Sequence, residues 1–260
     1  MNSCSIRLGL LACVVVATSL CATAAHAQGY DEFGAFSGRD DSRRKESPQD
    51  FAFELRIGRY LPRIDSEFGG GASPAAQALG TKHRVLVGME LDWQALRFGD
   101  LASFGPGFGL GYTLLSRDAK ITGTPNYSDV KTNLKILPVW TAGVLRFDLL
   151  NRRYGIPLVF TGKLGLGGAA WWATLGDERS IAGDGSKGKG TSYGMMYALG
   201  AMLDLAFLEP SRARSTDTNA GVNHMYLMGE WYALELNAFG SGGVMNVGDR
   251  TWTLGIAMEF

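Results

Sequence analysis

A strict alternation of residue types over positions 249–260 constrains the fold of this chain more than any other feature of its sequence. One set of alternate positions is apolar, namely Trp252, Leu254, Ile256, Met258 and Phe260. The intervening positions are mostly small or polar. Because successive side chains of a β-strand point to opposite faces, this period of two predicts a strand with one apolar and one polar face. The stretch is typical of a sheet whose two sides meet different surroundings.

The opposite end of the sequence predicts export. Arg7 precedes an apolar run over residues 8–25, and the motif Ala25-His26-Ala27 has the small-x-small pattern of a signal-peptidase site. We therefore expect residues 1–27 to be a signal peptide that is cleaved after Ala27. A membrane-anchoring helix and a lipoprotein signal at Cys13 are the alternatives.

The composition of the mature chain excludes some classes of protein. Removing 27 of the 260 residues leaves 233, and because Arg7 is lost, 24 basic side chains face 25 acidic ones. This near-zero balance argues against a nucleic-acid partner. The three cysteines all lie in the predicted signal, so the mature chain offers no disulfide and no thiolate ligand. No later run reaches the roughly 20 apolar residues of a spanning helix, so a membrane location would require a closed barrel.

Strand-like alternation recurs from residue 51 onward. Eight segments carry it, at residues 51–61, 82–93, 104–115, 131–145, 158–172, 191–207, 223–236 and 249–260. Several exceed the usual five or six residues of a soluble strand and suit the roughly 9–11 residues that cross a bilayer at a tilt. The pattern predicts an eight-stranded antiparallel up-and-down transmembrane β-barrel over residues 51–260.

The alternation also places charged side chains inside this barrel. The predicted inward set is Glu54, Arg56, Arg84, Glu90, Asp92, Lys135, Lys163, Asp204 and Glu259. Eight strands leave a lumen that side chains alone fill, so buried charges there must pair with one another. We predict a lumen charge network of Glu54, Arg56, Glu90, Asp92, Lys163, Asp204 and Glu259, and no open pore. A narrow path for protons or small ions is the alternative.

Two of the eight segments are harder to interpret. In the fourth, we assign the apolar residues Leu134, Ile136, Trp140 and Val144 to the outer face. Pro138 lies inside that strand, and a closed barrel has no edge strand to accommodate it, so we expect a β-bulge there. The seventh segment has two rival apolar faces, and its orientation stays open.

The connections and the aromatic residues fit a barrel with both termini on the inner side of the membrane. Residues 62–80, 116–130, 173–190 and 238–248 would form outer loops, and residues 94–103, 146–157 and 208–222 inner ones. Aromatic residues fall near the strand ends on the apolar face: Tyr112, Trp172, Tyr193 and Trp252 at the outer ends, and Trp93, Phe207 and Phe260 at the inner ends. This placement predicts membrane-interface girdles.

Short motifs relate the chain to a known family. They are SPQDFAFELRIG at 47–58, ELDWQ at 90–94, FGLGY at 108–112, LRFD at 145–148, GVNH at 221–224 and the final strand. With these motifs the chain resembles a family of outer-membrane β-barrel proteins from myxobacteria and their relatives. The resemblance implies a barrel in the outer membrane of a Gram-negative cell and no particular activity.

An outer-membrane location implies partners. They would be the surrounding outer-membrane lipids and lipopolysaccharide, together with the barrel assembly machinery. The final strand resembles the signal that this machinery reads, so we predict Phe260 as an assembly signal. Residues 28–50 are polar and charge-mixed, and we expect a flexible periplasmic lead-in there. A surface partner is not identified by the sequence.

The residues that could carry chemistry are few. Glycines at 162–168 recur with the period of a strand, which suits packing better than a phosphate-binding loop. His83 and His224 would lie at opposite ends of the barrel, too far apart for a shared metal. No serine is marked as a partner for either histidine. We predict no catalytic residue, no cofactor and no metal.

These observations favour a structural or surface-interaction role through the outer loops 62–80, 116–130 and 173–190, and not that of a general porin. One alternative is a soluble lipocalin-like periplasmic barrel that binds a ligand in an apolar interior. Another is a membrane-embedded enzyme that modifies lipids.

Overall fold

The computed structural model describes residues 50–68, 73–120, 127–176, 178–180, 188–207, 222–241 and 244–260. The predicted signal peptide, nearly all of the predicted lead-in and most of the 208–222 connection lie outside these residues.

Ten strands make up most of the described chain. They are β1 (Phe51–Tyr60), β2 (Arg84–Trp93), β3 (Leu96–Phe98), β4 (Ala102–Lys120), β5 (Tyr127–Phe147), β6 (Leu158–Leu175), β7 (Glu178–Arg179), β8 (Lys189–Asp204), β9 (His224–Glu235) and β10 (Arg250–Glu259). Two short helices are α1 (Pro74–Leu79) and α2 (Leu149–Tyr154), and 3-10 turns occur at Ile64–Glu67, Leu205–Phe207 and Ala238–Gly240. None of the described helices is long and apolar enough to cross a membrane.

Eight of the strands close into an antiparallel barrel. The order is β2-β1-β10-β9-β8-β6-β5-β4, and β2 also pairs with β4, so the sheet has no free edge along this circuit. The eight predicted strands and their up-and-down connection are therefore confirmed. When the paired registers are followed from Ala52 once around the barrel, they return to β1 at Pro62, a stagger of ten residues. Such a stagger accompanies strands that tilt by roughly 35–45°.

The hairpin of β4 and β5 is longer than predicted. These strands have 19 and 21 residues, and they reach Lys120 and start again at Tyr127. Much of the predicted loop 116–130 is thus paired strand, with Asp118 opposite Lys131. Both faces of this part are polar or exposed, so an apolar period of two could not reveal it.

The predicted bulge at Pro138 is wrong. The register between β4 and β5 is the same on both sides of it, and the irregularity in this pair lies between Asp118 and Lys120. Pro138 stays in register with Ala169 on β6. A Cβ atom on Gly111 would lie 3.2 Å from Cγ of Pro138, so the bare glycine leaves room for the proline ring.

The predicted face of β5 is also wrong. Leu134, Ile136, Trp140 and Val144 are buried in the lumen, and none is more than 3% exposed. Lys135, predicted inward, consequently lies on the outer side and is half-buried. The reason is that one half of the lumen is an apolar core, so the apolar face of this strand points inward.

Apolar side chains fill the lumen at the end that carries Tyr60 and α1, here called the loop end. The cluster includes Tyr60, Leu86, Leu115, Leu134, Ile136, Trp140, Met196, Tyr232, Leu234 and Leu236. A smaller apolar cluster lies toward the opposite end, which carries Phe51 and Phe260 and is called the terminal end; it comprises Val159, Met202, Tyr226, Met228 and Ala257. These contacts settle β9, whose inward face carries Tyr226, Met228 and Tyr232.

The outer surface of the barrel is apolar. Leu254 is 65% exposed and Trp252 69%, whereas Thr253 between them is buried. Leu110 is exposed and its neighbour Gly109 is buried, as predicted from the alternation. This distribution of apolar and polar side chains is the reverse of that in a soluble protein, and it matches a barrel whose outer face contacts lipid.

The five aromatic residues of the predicted girdle all lie on this outer face. Tyr112, Tyr193 and Trp252 are exposed, and Trp93 and Trp172 are half-buried. Tyr112 lies near the middle of β4, because that strand continues to Lys120. Their role at the membrane interface stays a prediction.

Candidate functional site

A network of charged side chains fills the lumen toward the terminal end. Its members are Glu54, Arg56, Glu90, Asp92, Arg146, Lys163, Glu230 and Glu259, none of them more than 4% exposed. Six strands contribute: β1, β2, β5, β6, β9 and β10. Strand alternation aims each side chain inward, and the closed sheet brings strands that are distant in sequence to one level.

Arg56 binds three carboxylates. Its Nη1 donates to Glu230 at 2.5 Å, and its Nη2 donates to Glu54 at 2.6 Å and to Glu90 at 2.8 Å. The guanidinium carbon also lies 5.4 Å from the ring centroid of Trp140, whose Nε1 donates to Glu90 at 2.5 Å. The arginine is therefore fixed by ion pairs and by an aromatic neighbour.

Lys163 binds the same three carboxylates from the other side of the lumen. Its Nζ lies 2.6 Å from Glu54, 2.7 Å from Glu90 and 3.2 Å from Glu230. Its hydrogen bonds go to Glu54 and Glu90, while Glu230 is an ion-pair contact. Two cations and three carboxylates thus form one closed cluster.

Arg146 connects this cluster to two further acids. Its Nη2 donates to Glu54 at 2.9 Å and to Asp92 at 3.0 Å, and its Nη1 donates to Glu259 at 3.1 Å. Gln94 also donates to Glu259 at 2.9 Å. Glu54 is therefore shared by all three cations of the network.

The network carries more negative than positive formal charge. Five carboxylates meet three cations, an excess of two formal negative charges. Neutral donors offset part of the cost of burying this excess; they are Trp140, Gln94 and Tyr226. Oδ1 of Asp92 is buried and has no hydrogen-bond partner among the described residues. Glu230 also has an oxygen without a hydrogen bond, but it pairs with both Arg56 and Lys163. Among the described residues Asp92 pairs with Arg146 alone, so it is the least supported carboxylate of the network.

Three of these acids resemble a metal site in their spacing. Glu54, Glu90 and Asp92 bring one oxygen each to within 4.8 Å of one another. The ammonium group of Lys163 lies against Glu54 and Glu90, however. It supplies the positive charge that a metal ion would otherwise provide.

The structure brings together six of the seven residues predicted for the network. Asp204 is the exception, because it lies apart from the network where β8 finishes at the terminal end of the barrel. There it accepts hydrogen bonds from Asn151 at 2.9 Å and from the backbone N–H of Ala206 at 2.9 Å, and it lies 2.9 Å from Nδ1 of His224. This group holds α2 and β9 to the end of β8.

Two members of the network, Arg146 and Glu230, were not predicted from the sequence. Arg56 pairs with Glu90 of the predicted set, and Arg146 pairs with Asp92 and Glu259. Sequence reasoning missed Arg146 because it assigned residue 146 to a loop and inverted β5. It missed Glu230 because the sequence did not decide which face of β9 points inward. Glu230 is the one charged residue in the middle of that strand, and its charge could have identified the inward face.

The loop end is closed by segments that fold across it. The Tyr60 hydroxyl donates to the carbonyl of Val247 at 2.5 Å, and the Arg63 N–H donates to the carbonyl of Gly248 at 3.0 Å. The Arg63 side chain pairs with Glu235 at 3.1 Å, and Glu235 also binds Arg250. Together with the apolar core beneath them, these contacts close the lumen at this end.

A groove lies on the rim of the loop end, between α1 and the β4–β5 hairpin. Its volume is about 600 Å³. It is lined by Ala76, Leu79, Gly80, Thr81, Lys82, Arg84, Ser116, Arg117, Asp118 and Lys131, and is called the rim groove below. Four of these side chains are basic and one is acidic, so the groove is a cationic depression on an otherwise mixed surface.

An apolar exterior, a charged and filled lumen and eight tilted strands define the class of this protein, an eight-stranded transmembrane β-barrel. No protein-family model matches the sequence, and no curated protein matches it. Membership of the myxobacterial family therefore stays a prediction.

The chain is also similar, at low identity, to several solved structures. They include Ail from Yersinia pestis, crystallised with the heparin analogue sucrose octasulfate, at 12% identity over 82% of this chain and 97% of that one, with a TM-score of 0.41. OprG from Pseudomonas aeruginosa has 15% identity over 82% and 96%, with a TM-score of 0.47. Neisserial surface protein A has 14% identity over 81% and 97%, with a TM-score of 0.37. Likenesses this distant carry no information about activity.

Proposed function

We propose that this protein is an integral outer-membrane barrel that acts through its loop end, in a structural or surface-interaction role, and not as a general pore. The observation that carries the proposal is the inside-out distribution of polarity. Large apolar side chains cover the outside, while ion-paired charges and an apolar core fill the lumen. A lipocalin-like soluble barrel would have the opposite faces, with an apolar interior around a ligand.

The closed lumen favours a role at the surface over transport. The charge network occupies one half of the interior and the apolar core the other, and the loop end is covered by the segment that follows β1. A lumen packed in this way suits an anchor that presents its loops to the outside. In this proposal the surrounding lipids and lipopolysaccharide are the immediate partners. Cleavage after Ala27 and recognition of Phe260 by the assembly machinery stay predictions from the sequence.

Cysteine labelling in intact cells tests the orientation. The mature chain would have no cysteine, so Ser116→Cys on the outer hairpin and Arg153→Cys in α2 each provide one thiol. A membrane-impermeant maleimide should label Ser116→Cys in intact cells and Arg153→Cys only after the outer membrane is permeabilised. The reverse pattern, or labelling of both in intact cells, would contradict the proposal.

Conductance tests the absence of a pore. Purified protein in a planar bilayer should show no stable channel of the size that general porins give, because eight strands leave room for side chains only. Unheated gel electrophoresis should show the faster migration of a folded barrel in the same preparation. Large, persistent channels from such folded protein would contradict the proposal.

A further inference from the structure

The rim groove collects positive charge at one place on the loop end. Arg84 begins β2 and Lys82 lies two residues before it, while Arg117 belongs to β4 and Lys131 to β5. Asp118 is the one acid in the lining and lies opposite Lys131 across the hairpin. The lining therefore has a formal surplus of three positive charges, on a chain whose overall balance is zero.

Backbone carbonyls hold the two arginines at the groove. Nη2 of Arg84 donates to the carbonyl of Ser116 at 2.8 Å. Nη1 of Arg117 donates to the carbonyls of Ala76 and Gln77 at 3.3 Å, at the C-terminal end of α1. These hydrogen bonds to carbonyl oxygens orient the two guanidinium groups. Pre-oriented guanidinium groups bind the oxygens of phosphate well, because they present several N–H donors in a fixed plane.

The groove begins where the apolar surface ends. Val85 and Leu114 are 58% and 40% exposed on the outer face of β2 and β4, and the basic residues follow them toward the loop end. If lipid covers the apolar surface, the groove lies at the level of the lipid head groups. Basic side chains at that level attract anionic head groups of the same leaflet.

We propose that the rim groove binds the phosphate groups of the phosphorylated glycolipid that surrounds the barrel. The proposal rests on the orientation of the loop end given under the proposed function. Its volume of about 600 Å³ suits a phosphorylated sugar, and its surplus of charge suits a ligand with more than one negative charge. A soluble polyanion shares this chemistry, and the experiment separates the two sources.

The test uses purified full-length protein in nanodiscs, titrated with defined probes. Bis-phosphorylated lipid A should bind at least tenfold more tightly than the same lipid without phosphates. Lys82→Gln combined with Lys131→Gln should weaken the binding of bis-phosphorylated lipid A about tenfold, and raised salt should weaken wild-type binding. The control Lys189→Gln, an exposed lysine at the loop end of β8 outside the groove, should bind as wild type does.

Inositol hexakisphosphate is the soluble probe. Binding of this probe as tight as that of lipid A, with the same loss in the double variant, would overturn the lipid assignment. Equal binding of the two lipids would show that the groove is not a phosphate site. The same conclusion would follow if the double variant bound bis-phosphorylated lipid A as tightly as wild type does, provided that its migration in an unheated gel shows a folded barrel. Either result leaves the labelling and conductance tests of the proposed function unchanged, so the two failures are distinguishable.

Discussion

At the scale of single residues, the three cations of the lumen decide how much negative charge the barrel can bury. Glu54 receives all three of them, while Asp92 receives only Arg146. A buried ion pair contributes little net stability when complete, but removing one partner leaves an uncompensated charge. The network should therefore be most sensitive at its cations and least sensitive at Asp92.

Loss of either arginine is expected to destabilise the folded barrel. Arg56→Leu and Arg146→Leu should each lower the free energy of unfolding by about 3–5 kcal/mol, because each leaves three buried carboxylates short of a partner. Urea unfolding in lipid vesicles measures the change. The control Arg153→Leu, in exposed α2, should change stability by no more than about 0.5 kcal/mol. Variants as stable as this control would refute the network as a buried structure.

Loss of charge should affect stability differently at Asp92, which pairs with one cation, and at Glu54, which pairs with three. An amide at Asp92 removes one of the surplus negative charges, so Asp92→Asn should be close to wild type in unfolding free energy. Glu54→Gln should cost several kcal/mol, since three cations would lose a shared carboxylate. The same urea titration compares the two isosteric changes. A larger loss at Asp92 than at Glu54 would contradict the charge count.

At the scale of elements, the strands could be found from the sequence because apolar residues recur at every second position along at least one face of each strand. It was harder to predict which face of each strand points into the lumen, because β5 places apolar residues such as Ile136 inside and β9 has large side chains on both faces. Periodicity shows that two faces differ but not which of them faces lipid. That depends on the opposite wall of the lumen, which no local pattern contains. The pairing of Arg146 with Glu54 and Glu259 likewise depends on strands more than 90 residues away.

The fit between β4 and β5 should depend on a bare glycine. A Cβ atom at Gly109 would lie 2.2 Å from the ring of Trp140, which is held by its bond to Glu90. Gly109→Ala should therefore lower the unfolding free energy by roughly 1–3 kcal/mol, as overpacking does. At Gly168 the nearest atom would be 3.5 Å away, so Gly168→Ala serves as the tolerated control. Tryptophan fluorescence during unfolding measures both, and equal stability would contradict the close packing.

The segment that covers the loop end should respond to pH through Asp249. Burial raises the pKa of Asp249 to about 6, although the backbone N–H groups of Leu61 and Arg250 and the charges of His83 and Arg63 favour its ionised form. An unfolded aspartate has a pKa of about 3.9, so the folded state binds the proton more tightly. Stability from this group is present below about pH 4 and declines as the pH rises through 6.

Hydrogen exchange of the Leu61 amide, which donates to Asp249 at 2.9 Å, reports this effect. Protection should be greater at pH 5 than at pH 7.5, after correction for the intrinsic exchange rate. Asp249→Asn should remove most of the difference. A protection that rises with pH would show that the sign is wrong.

At the scale of the whole molecule, the barrel is a closed wall with an apolar outer side, and its stability depends on lipid on that side. Leu254 is among its most exposed side chains. Leu254→Arg should cost about 2–4 kcal/mol in vesicles if the residue lies near the bilayer midplane. Leu254→Phe keeps the surface apolar and is the control. Equal unfolding free energies for the two variants would contradict the lipid-facing assignment.

The sequence separation of the network contacts also has a consequence for folding kinetics. Arg56 and Glu230 are 174 residues apart, and Arg146 and Glu259 are 113 apart. Contacts between such distant segments form only once the ends of the sheet have met, so the network should assemble after the slowest step of folding. Interactions that form late mainly set the rate of unfolding. Loss of these charges should therefore raise the unfolding rate and shorten the lifetime of the folded barrel, while the strands insert at an unchanged rate.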